Sequence, residues 1–314
     1  MMMFIKPNYW DKKIGIFSIA LFPISLVFIF LTFFKKVFTK TRTFKIPIIC
    51  VGNIYVGGTG KTPTSIFIAR EFSKLGKKTA ILRKYYDSHK DEHNLIKKKF
   101  DNLILNKDRI DALKNLENSD FNLVILDDGF QDFKIKKDIN IVCFNQNQLI
   151  GNGLVLPSGP LRERLSALKR ADIVIINGKK DKGFENKILN INEKLDILYS
   201  TYDPLNINEF KNKKLLAIAG IGNPENFFQL LNEYNLKVEK KLIFPDHHIF
   251  SNKELQNIVN EAKKENYQIV MTEKDYYKIR DCRLDDIKYL RVSLVIKEKE
   301  KLLNKIKKLY DKNN

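Results

Sequence analysis

The sequence predicts an α/β fold with a mostly parallel sheet, a second α/β lobe and an apolar N-terminal helix. Three observations carry that prediction. Short β-branched runs alternate with helix-spaced segments along most of the chain, the pattern of βα units. A glycine-rich turn, Gly57-Gly58-Thr59-Gly60, separates the first such run, Ile46 to Val51, from a helix pattern that carries Ile68, Phe72 and Leu75 on one face and stops at Gly76. Ahead of both, Ile14 to Phe34 contains no charged residue and is long enough for one membrane span.

The order strand, glycine loop, Lys61-Thr62, helix is what a phosphate cradle needs. Glycines let consecutive backbone N–H groups turn toward one anion, and the helix N-terminus adds its positive dipole end. A lysine there reaches the outer phosphates, and a threonine hydroxyl can ligate Mg²⁺. Tyr55, Val56, Gly57, Gly58, Thr59, Gly60, Lys61 and Thr62 are therefore the expected nucleotide-binding segment, and the fold class is P-loop NTPase-like. The strict G-x-x-x-x-G-K-[ST] pattern asks for glycine where this chain has Tyr55, so only its core, G-x-G-K-T, is present.

Composition sets the frame. With 314 residues the chain has room for two ordinary domains, and 44% hydrophobic residues are enough for a sizeable core. Cys50, Cys143 and Cys282 are far apart and odd in number, the pattern of a reduced compartment without zinc spacing. Lys and Arg total 56 against 37 Asp and Glu, a formal charge of +19. That excess points to an anionic partner, a phosphorylated substrate or a membrane surface. Basic residues are not interleaved with aromatics as in a single-strand groove, so nucleic acid is not expected.

In order along the chain, Lys12 and Lys13 precede the apolar segment, and Lys35, Lys36, Lys40, Arg42 and Lys45 follow it. No small-x-small cleavage site follows, so a signal peptide is disfavoured. Pro23 would kink a helix there, leaving either a true span or a bent helix in one leaflet. The positive flank faces the cytoplasm and favours anionic headgroups. Residues 1–40 are read as this membrane-associated part, 41–185 as the nucleotide domain and 186–314 as the second lobe.

Within the nucleotide domain, Lys78 to Leu82 reads as a strand, Asn94 to Phe100 and Lys107 to Leu116 as helices, and Asp91-Glu92 as a carboxylate pair in a loop. Phe121 to Leu126 is a buried strand ending in Asp127-Asp128. A carboxylate at the end of such a strand holds Mg²⁺ directly or through water, so Thr62, Asp127 and Asp128 are the candidate metal residues. Strands follow at Ile139 to Phe144 and Ile173 to Ile176, with a loop rich in turn residues, Gly151 to Pro160, between them. Leu161-Arg162-Glu163-Arg164 is expected to start a helix.

In the second lobe the expected elements are strand Leu215 to Ala219, helix Pro224 to Leu231, strand Val238 to Phe244, helix Asn252 to Glu265 and strand Gln268 to Met271. The pair His247-His248 beside Asp246 lies just past a strand, where α/β sites usually sit.

Taken together, Val51-Gly52-Asn53, Val56 to Pro63, Asp127-Asp128-Gly129-Phe130-Gln131, Gly151-Asn152-Gly153, Leu156 to Arg164, Ala219 to Pro224, Asp246-His247 and Thr272-Glu273-Lys274-Asp275 resemble the lipid A 4'-kinases, collinearly over nearly the whole chain. That family's glycine loop also lacks the first glycine. The resemblance implies transfer of the ATP γ-phosphate to the 4'-hydroxyl of a tetraacyl glucosamine disaccharide 1-phosphate, at the cytoplasmic face of the inner membrane. It implies Asp91 and His247 as the pair that takes the hydroxyl proton. It also implies Arg83, Tyr85, Glu92, Arg109 and Arg162 as contacts to the lipid headgroup. The chain departs from the family's pattern at Leu82-Arg83-Lys84-Tyr85 and Lys90-Asp91-Glu92-His93, and the stretch between them is short. The rivals are a membrane P-loop kinase or ATPase with another acceptor, and a nucleotide-gated scaffold without transfer chemistry.

Overall fold

Continuous apolar strands build the architecture. The computed structural model describes residues 6–246, 248–279 and 286–311, with backbone alone for 88, 90, 91 and 309–311. Strands β1 (Ile48–Gly52), β2 (Thr79–Lys84), β3 (Leu103–Asn106), β4 (Leu123–Asp127), β5 (Ile139–Asn145), β6 (Ile173–Asn177) and β7 (Asp196–Pro204) are followed by β8 (Lys214–Ala219), β9 (Lys237–Ile243), β10 (Gln268–Thr272), β11 (Ile287–Leu290) and β12 (Val292–Ile296). They form an eight-stranded sheet, order β12-β7-β6-β5-β1-β4-β2-β3, and a four-stranded sheet, order β11-β10-β8-β9. The pairs from β3 across to β7 are parallel. So are those of the smaller sheet. β1 and β4 are buried along their whole length, as strands covered on both faces must be, which is why they read as unbroken apolar runs.

The helices are α1 (Ile16–Phe38), α2 (Lys61–Lys74), α3 (Lys90–Lys99), α4 (Arg109–Glu117), α5 (Lys182–Leu189), α6 (Pro224–Glu233), α7 (Asn252–Lys264), α8 (Glu273–Ile279) and α9 (Lys299–Asp311). α2 buries Ile66, Ile68, Ala69 and Phe72. It ends as its sequence requires: Gly76 takes φ +75°, its N–H bonds Ser73 O, and the next N–H, of Lys77, reaches back to Phe72 O.

The chain divides into two units that are discontinuous in sequence. One contains Lys6–Tyr85, Phe100–Thr201 and the chain from Val295, and holds the glycine loop. The other contains Tyr86–Lys99 and Tyr202–Leu294. In the first, α9 buries Leu302, Leu303 and Ile306. In the second, two apolar clusters, around Leu216, Ile218 and Met271 and around Phe227, Phe228 and Val270, form the core. Its edge strand β9 alternates exposed and half-buried residues, with three lysines that discourage pairing with another edge.

α1 is long and apolar enough to cross a membrane by length and composition. Pro23 lies inside it without ending it. Its two buried residues are not apolar: they are Ser18 and Ser25. Ser25 Oγ donates to Val155 O at 2.9 Å, lies 2.8 Å from Ser158 Oγ and accepts the Ser158 N–H at 3.1 Å. Ser18 Oγ accepts from Asn152 Nδ2 at 3.1 Å. A seam of small polar residues thus ties the helix to the Gly151–Pro160 loop, while Ile16, Phe17, Ile24, Val27, Phe30, Leu31 and Phe33 are exposed.

Two local expectations are corrected. Asp91 and Glu92 lie not in a loop but in the first turn of α3, where acidic residues meet the positive helix end. Leu161 to Arg164 starts no helix: Leu161 bridges Tyr55 and Val155, the Arg162 N–H bonds Ile54 O at 2.7 Å, and a short 3₁₀ turn follows only at Leu165–Arg170. The backbone there is spent on bracing the chain ahead of the glycine loop.

Gly52 ends β1 where a Cβ would stand 2.5 Å from Phe130 Cβ and 3.0 Å from its backbone N. Gly52→Ala is expected to destabilise the protein by about 1–3 kcal/mol through this overpacking. The check is a lower unfolding temperature in detergent solution, and an unchanged one would contradict the packing described.

Candidate active site

Parallel register sets the site. Val51 pairs with Asp127, and Arg83 pairs with Asp127 from the other side, so the loops after β1 and β4 leave the sheet at the same edge. The chain after β1 turns through Gly57 at φ +120° and Gly60 at φ +87°, conformations that strain any side chain. Gly60 is the N-cap of α2. Among the described residues no acceptor takes the N–H groups of Gly57, Gly58, Thr59 or Gly60. Four unclaimed donors beside a helix N-terminus are the groups that an anion cradle needs.

The loop is braced from behind. Asn53 Nδ2 donates to Thr59 Oγ1 at 2.9 Å and Gly57 O at 3.4 Å. Asn177, at the end of β6, donates to Thr59 O at 2.5 Å and itself accepts from Ser200. The Val56 N–H bonds Pro160 O at 2.9 Å. Tyr55 is fully buried in the core, its hydroxyl bonded to Asp11 Oδ1 at 3.2 Å, and burial pushes its pKa up. A glycine here would leave that space empty, which is a physical reason for the departure from the strict pattern.

The two carboxylates after β4 point to different partners. Asp127 is fully buried; Arg83 Nη1 pairs with it, Thr62 Oγ1 donates at 3.1 Å and Ser65 Oγ at 2.9 Å. Asp128, at φ +55°, accepts from Arg162 Nη1 at 2.9 Å and lies 3.7 Å from Lys61 Nζ. Burial alone would raise the Asp128 pKa, but Lys61, Arg162 and Arg83 hold it well below the usual carboxylate range. Lys61 is shifted down by burial, with Asp128 opposing the shift. Arg109 is buried and donates through Nη2 to the carbonyls of both Asp127 and Asp128 at 2.9 Å, fixing the turn between them. Gln131 Nε2 donates to Asn53 O at 2.9 Å and Glu163 Oε1 at 3.1 Å, linking the two loops.

A hard divalent cation would find oxygen donors here. Thr62 Oγ1 and the Asp127 carboxylate already meet, with Asp128 next in sequence, and Mg²⁺ needs only one or two carboxylates when phosphates and waters supply the rest. The residues present therefore fit the metal.

The remaining candidates belong to other parts of the chain. The Tyr85 N–H extends the sheet by bonding Asn106 O at 2.9 Å. In the second unit Lys274 joins Glu92 Oε1 at 3.1 Å to Asp246 Oδ1 at 3.0 Å, bringing α3 and the Asp246 loop onto one ammonium. Asp91 is the second residue of α3. His247 lies outside the described residues. Asp275 is fully buried and accepts the Gly220 N–H at 2.8 Å, so the segment after β10 also fixes the loop after β8. His248 Nε2 lies 2.9 Å from Glu254 Oε2.

Sequence reasoning passed over Asn177 and Ser65. The first ends an apolar strand as Asp127 does, and the second stands one helical turn after Thr62; both signals were local and readable.

Removing Arg83 leaves Asp127 buried without its counter-charge. Arg83→Met is expected to cost about 3 kcal/mol, and Asp127→Asn in the same chain to recover most of it; additive losses in urea unfolding would refute the coupling. Asp128 has a depressed pKa in the folded state, so its stabilisation is present above the unfolded value and is lost as pH falls through the folded one. Asp128→Asn should therefore lower stability near neutrality and flatten its fall below about pH 4, as thermal unfolding across pH would reveal.

Comparison with known proteins agrees with this geometry. The family model described as tetraacyldisaccharide-1-P 4'-kinase (LpxK) matches residues 17–311. The tetraacyldisaccharide 4'-kinase of Pelagibacter ubique is 41% identical over 312 residues, covering 98% of this chain and 99% of the relative. That of Rickettsia bellii is 35% identical, covering 98% and 99%. The crystal structure of an "apo" form of LpxK from Aquifex aeolicus in complex with ATP has the same fold, with a TM-score of 0.70 at 24% identity over 93% of this chain and 98% of that one. The chain belongs to the tetraacyldisaccharide-1-P 4'-kinase family.

Proposed function

We propose that this chain transfers the γ-phosphate of ATP to the 4'-hydroxyl of a tetraacyl glucosamine disaccharide 1-phosphate, giving lipid IVA, at the cytoplasmic face of the inner membrane. The observation that carries the phosphoryl-transfer part is the glycine loop with four unclaimed N–H donors, closed by Lys61 and Arg162 around Asp128. Family membership supplies the acceptor.

The roles follow from chemistry. Backbone N–H groups from Gly57 to Gly60 and the Lys61 ammonium cradle the phosphates and spread their charge, the main contribution of protein to phosphoryl transfer; Tyr55 and Val56 set the loop's entry. Thr62, with Asp127 or Asp128, would hold Mg²⁺, which supplies charge neutralisation at the phosphates. The Arg162 guanidinium, paired with Asp128 and part-exposed, can exchange that partner for a phosphate or for the anionic headgroup. A sugar hydroxyl is a poor nucleophile, so its proton must be taken as it attacks. Asp91 is assigned that task, with His247 polarising it. The link from α3 through Lys274 to Asp246 supports a shared location for the two segments that carry them. Arg83, Tyr85, Glu92 and Arg109 are assigned to the headgroup; for Arg83 and Arg109, already bound to the β4 end, the contribution is to hold the carboxylates and the turn that face it.

The acceptor's acyl chains stay in the bilayer, and α1 keeps the enzyme there. Ser18 and Ser25 are both bound to the loop ahead of Arg162, which supports a helix lying along one leaflet beside the enzyme rather than leaving it to span. The positive charge of the chain adds attraction to an anionic leaflet.

Purified protein with ATP, Mg²⁺ and the tetraacyl disaccharide 1-phosphate in detergent micelles should label the 4'-position. Lys61→Ala should lower kcat/KM, and Asp91→Ala should lower kcat by about 10²–10⁴ with little change in the KM for ATP. Label on a different acceptor, or ATP binding with no transfer, would overturn the reading.

A further inference from the structure

Where α1 ends, the chain is stitched to a distant loop. Thr41 Oγ1 donates to Phe133 O at 3.0 Å, the Arg42 N–H bonds Lys134 O at 2.8 Å, and the Lys136 N–H bonds Arg42 O at 2.8 Å. This brings Lys40, Arg42 and Lys134 around an open hollow of about 430 Å³, with Phe38 and Thr39 at the helix end and Lys114 from α4. Two carboxylates also line it. Asp108 accepts the Ile110 N–H as the cap of α4, and Asp111 pairs with Lys114 at 3.1 Å. Among the described residues Lys40, Arg42 and Lys134 have no ion-pair partner.

An apolar lane leads to this hollow. Phe30, Phe34 and Phe38 follow each other one turn apart along α1, with ring centroids 4.4 Å and then 5.6 Å apart. Phe30 and Phe38 are exposed. A helix with this surface rests in hydrocarbon, so its charged C-terminal end comes to headgroup depth.

We infer that the hollow is a discrete site for one anionic phospholipid, its phosphate held by Lys40, Arg42 and Lys134 and an acyl chain laid along Phe30, Phe34 and Phe38. The site is separate from the glycine loop and adds to general charge attraction a fixed contact that sets the depth and rotation of α1. It rests on the membrane reading of α1 and not on the transfer chemistry.

The test is co-sedimentation of the full chain with phosphatidylcholine vesicles, with and without phosphatidylglycerol. The hollow variant Arg42→Glu/Lys134→Glu is compared with Lys182→Glu/Lys187→Glu, an equal charge change at exposed positions of α5. The hollow variant should bind the anionic vesicles at least about tenfold more weakly than the control variant. Both should keep wild-type binding to pure phosphatidylcholine and wild-type unfolding temperatures. Equal losses in both variants would reduce the effect to net charge and overturn the site, as would no loss in either. Displacement from anionic vesicles by inorganic phosphate, beyond that by chloride at equal ionic strength, would make it a free-phosphate site instead. A raised KM for the disaccharide in phospholipid-free micelles would assign it to the acceptor. Absence of binding to phosphatidylcholine by the unmodified chain would refute the membrane reading itself, independently of any kinase result.

Discussion

The charge buried at the end of β4 is the constraint around which the glycine-loop end of the sheet is built. A carboxylate with no exposed surface survives only if its partners are fixed, because an unpaired one costs several kcal/mol, on the order of the whole stability of a domain. Parallel register sets Arg83 opposite Asp127, and Thr62 and Ser65 on the first turns of α2 complete its bonds. The helix that starts at the glycine loop is thereby locked to the strand that ends in the carboxylates. Asp128 then turns the other way, through a left-handed backbone that Arg109 pins by both neighbouring carbonyls. Consecutive aspartates do different jobs because the backbone between them reverses.

The apolar helix obeys a similar logic with the polarity inverted. Lipid tails compete equally for any leucine or phenylalanine on α1, so apolar contact alone cannot choose which side faces the enzyme. Serines can. Their hydroxyls bond only where Val155, Ser158 and Asn152 present partners, and their small size lets the loop approach closely. The same loop hands Pro160 O to Val56, so the seam and the glycine loop share one stretch of backbone.

How much of this was legible depended on distance along the chain. β1, β4, β5 and β6 were readable because strands buried on both faces are unbroken apolar runs. β3 and β11 were not, since each is short and incompletely buried; the apolar run of β3 is only Leu103 to Leu105, and that of β11 is broken by Lys288. The glycine loop, Lys61-Thr62 and Asp127-Asp128 each announce themselves within a few residues. Asn177 ends an apolar strand as Asp127 does, but its partner Thr59 lies 118 residues away, and the contact of Lys274 with Glu92 spans 182; neither pairing has a local pattern. The helix holding Asp91 was misread for a related reason: its charge hid a start that the helix dipole favours. Arg162 was expected at the head of a helix, and the competing use of its backbone as a bridge to Ile54 had no signal in the sequence.

The interleaving of the two units has a consequence for how the molecule is made. The unit that holds the glycine loop begins near Lys6 but takes α9 from the far end of the chain, with Leu302, Leu303 and Ile306 buried in it. Strand β12 reaches the same sheet only after the whole second unit has been translated. During synthesis the loop, its strands and α1 are all out of the ribosome while one edge of their sheet still lacks its last strand. An apolar helix seeking a membrane and an unfinished sheet edge thus coexist on the nascent chain. The order of synthesis exposes the whole of α1 well before the unit that holds the glycine loop can be completed.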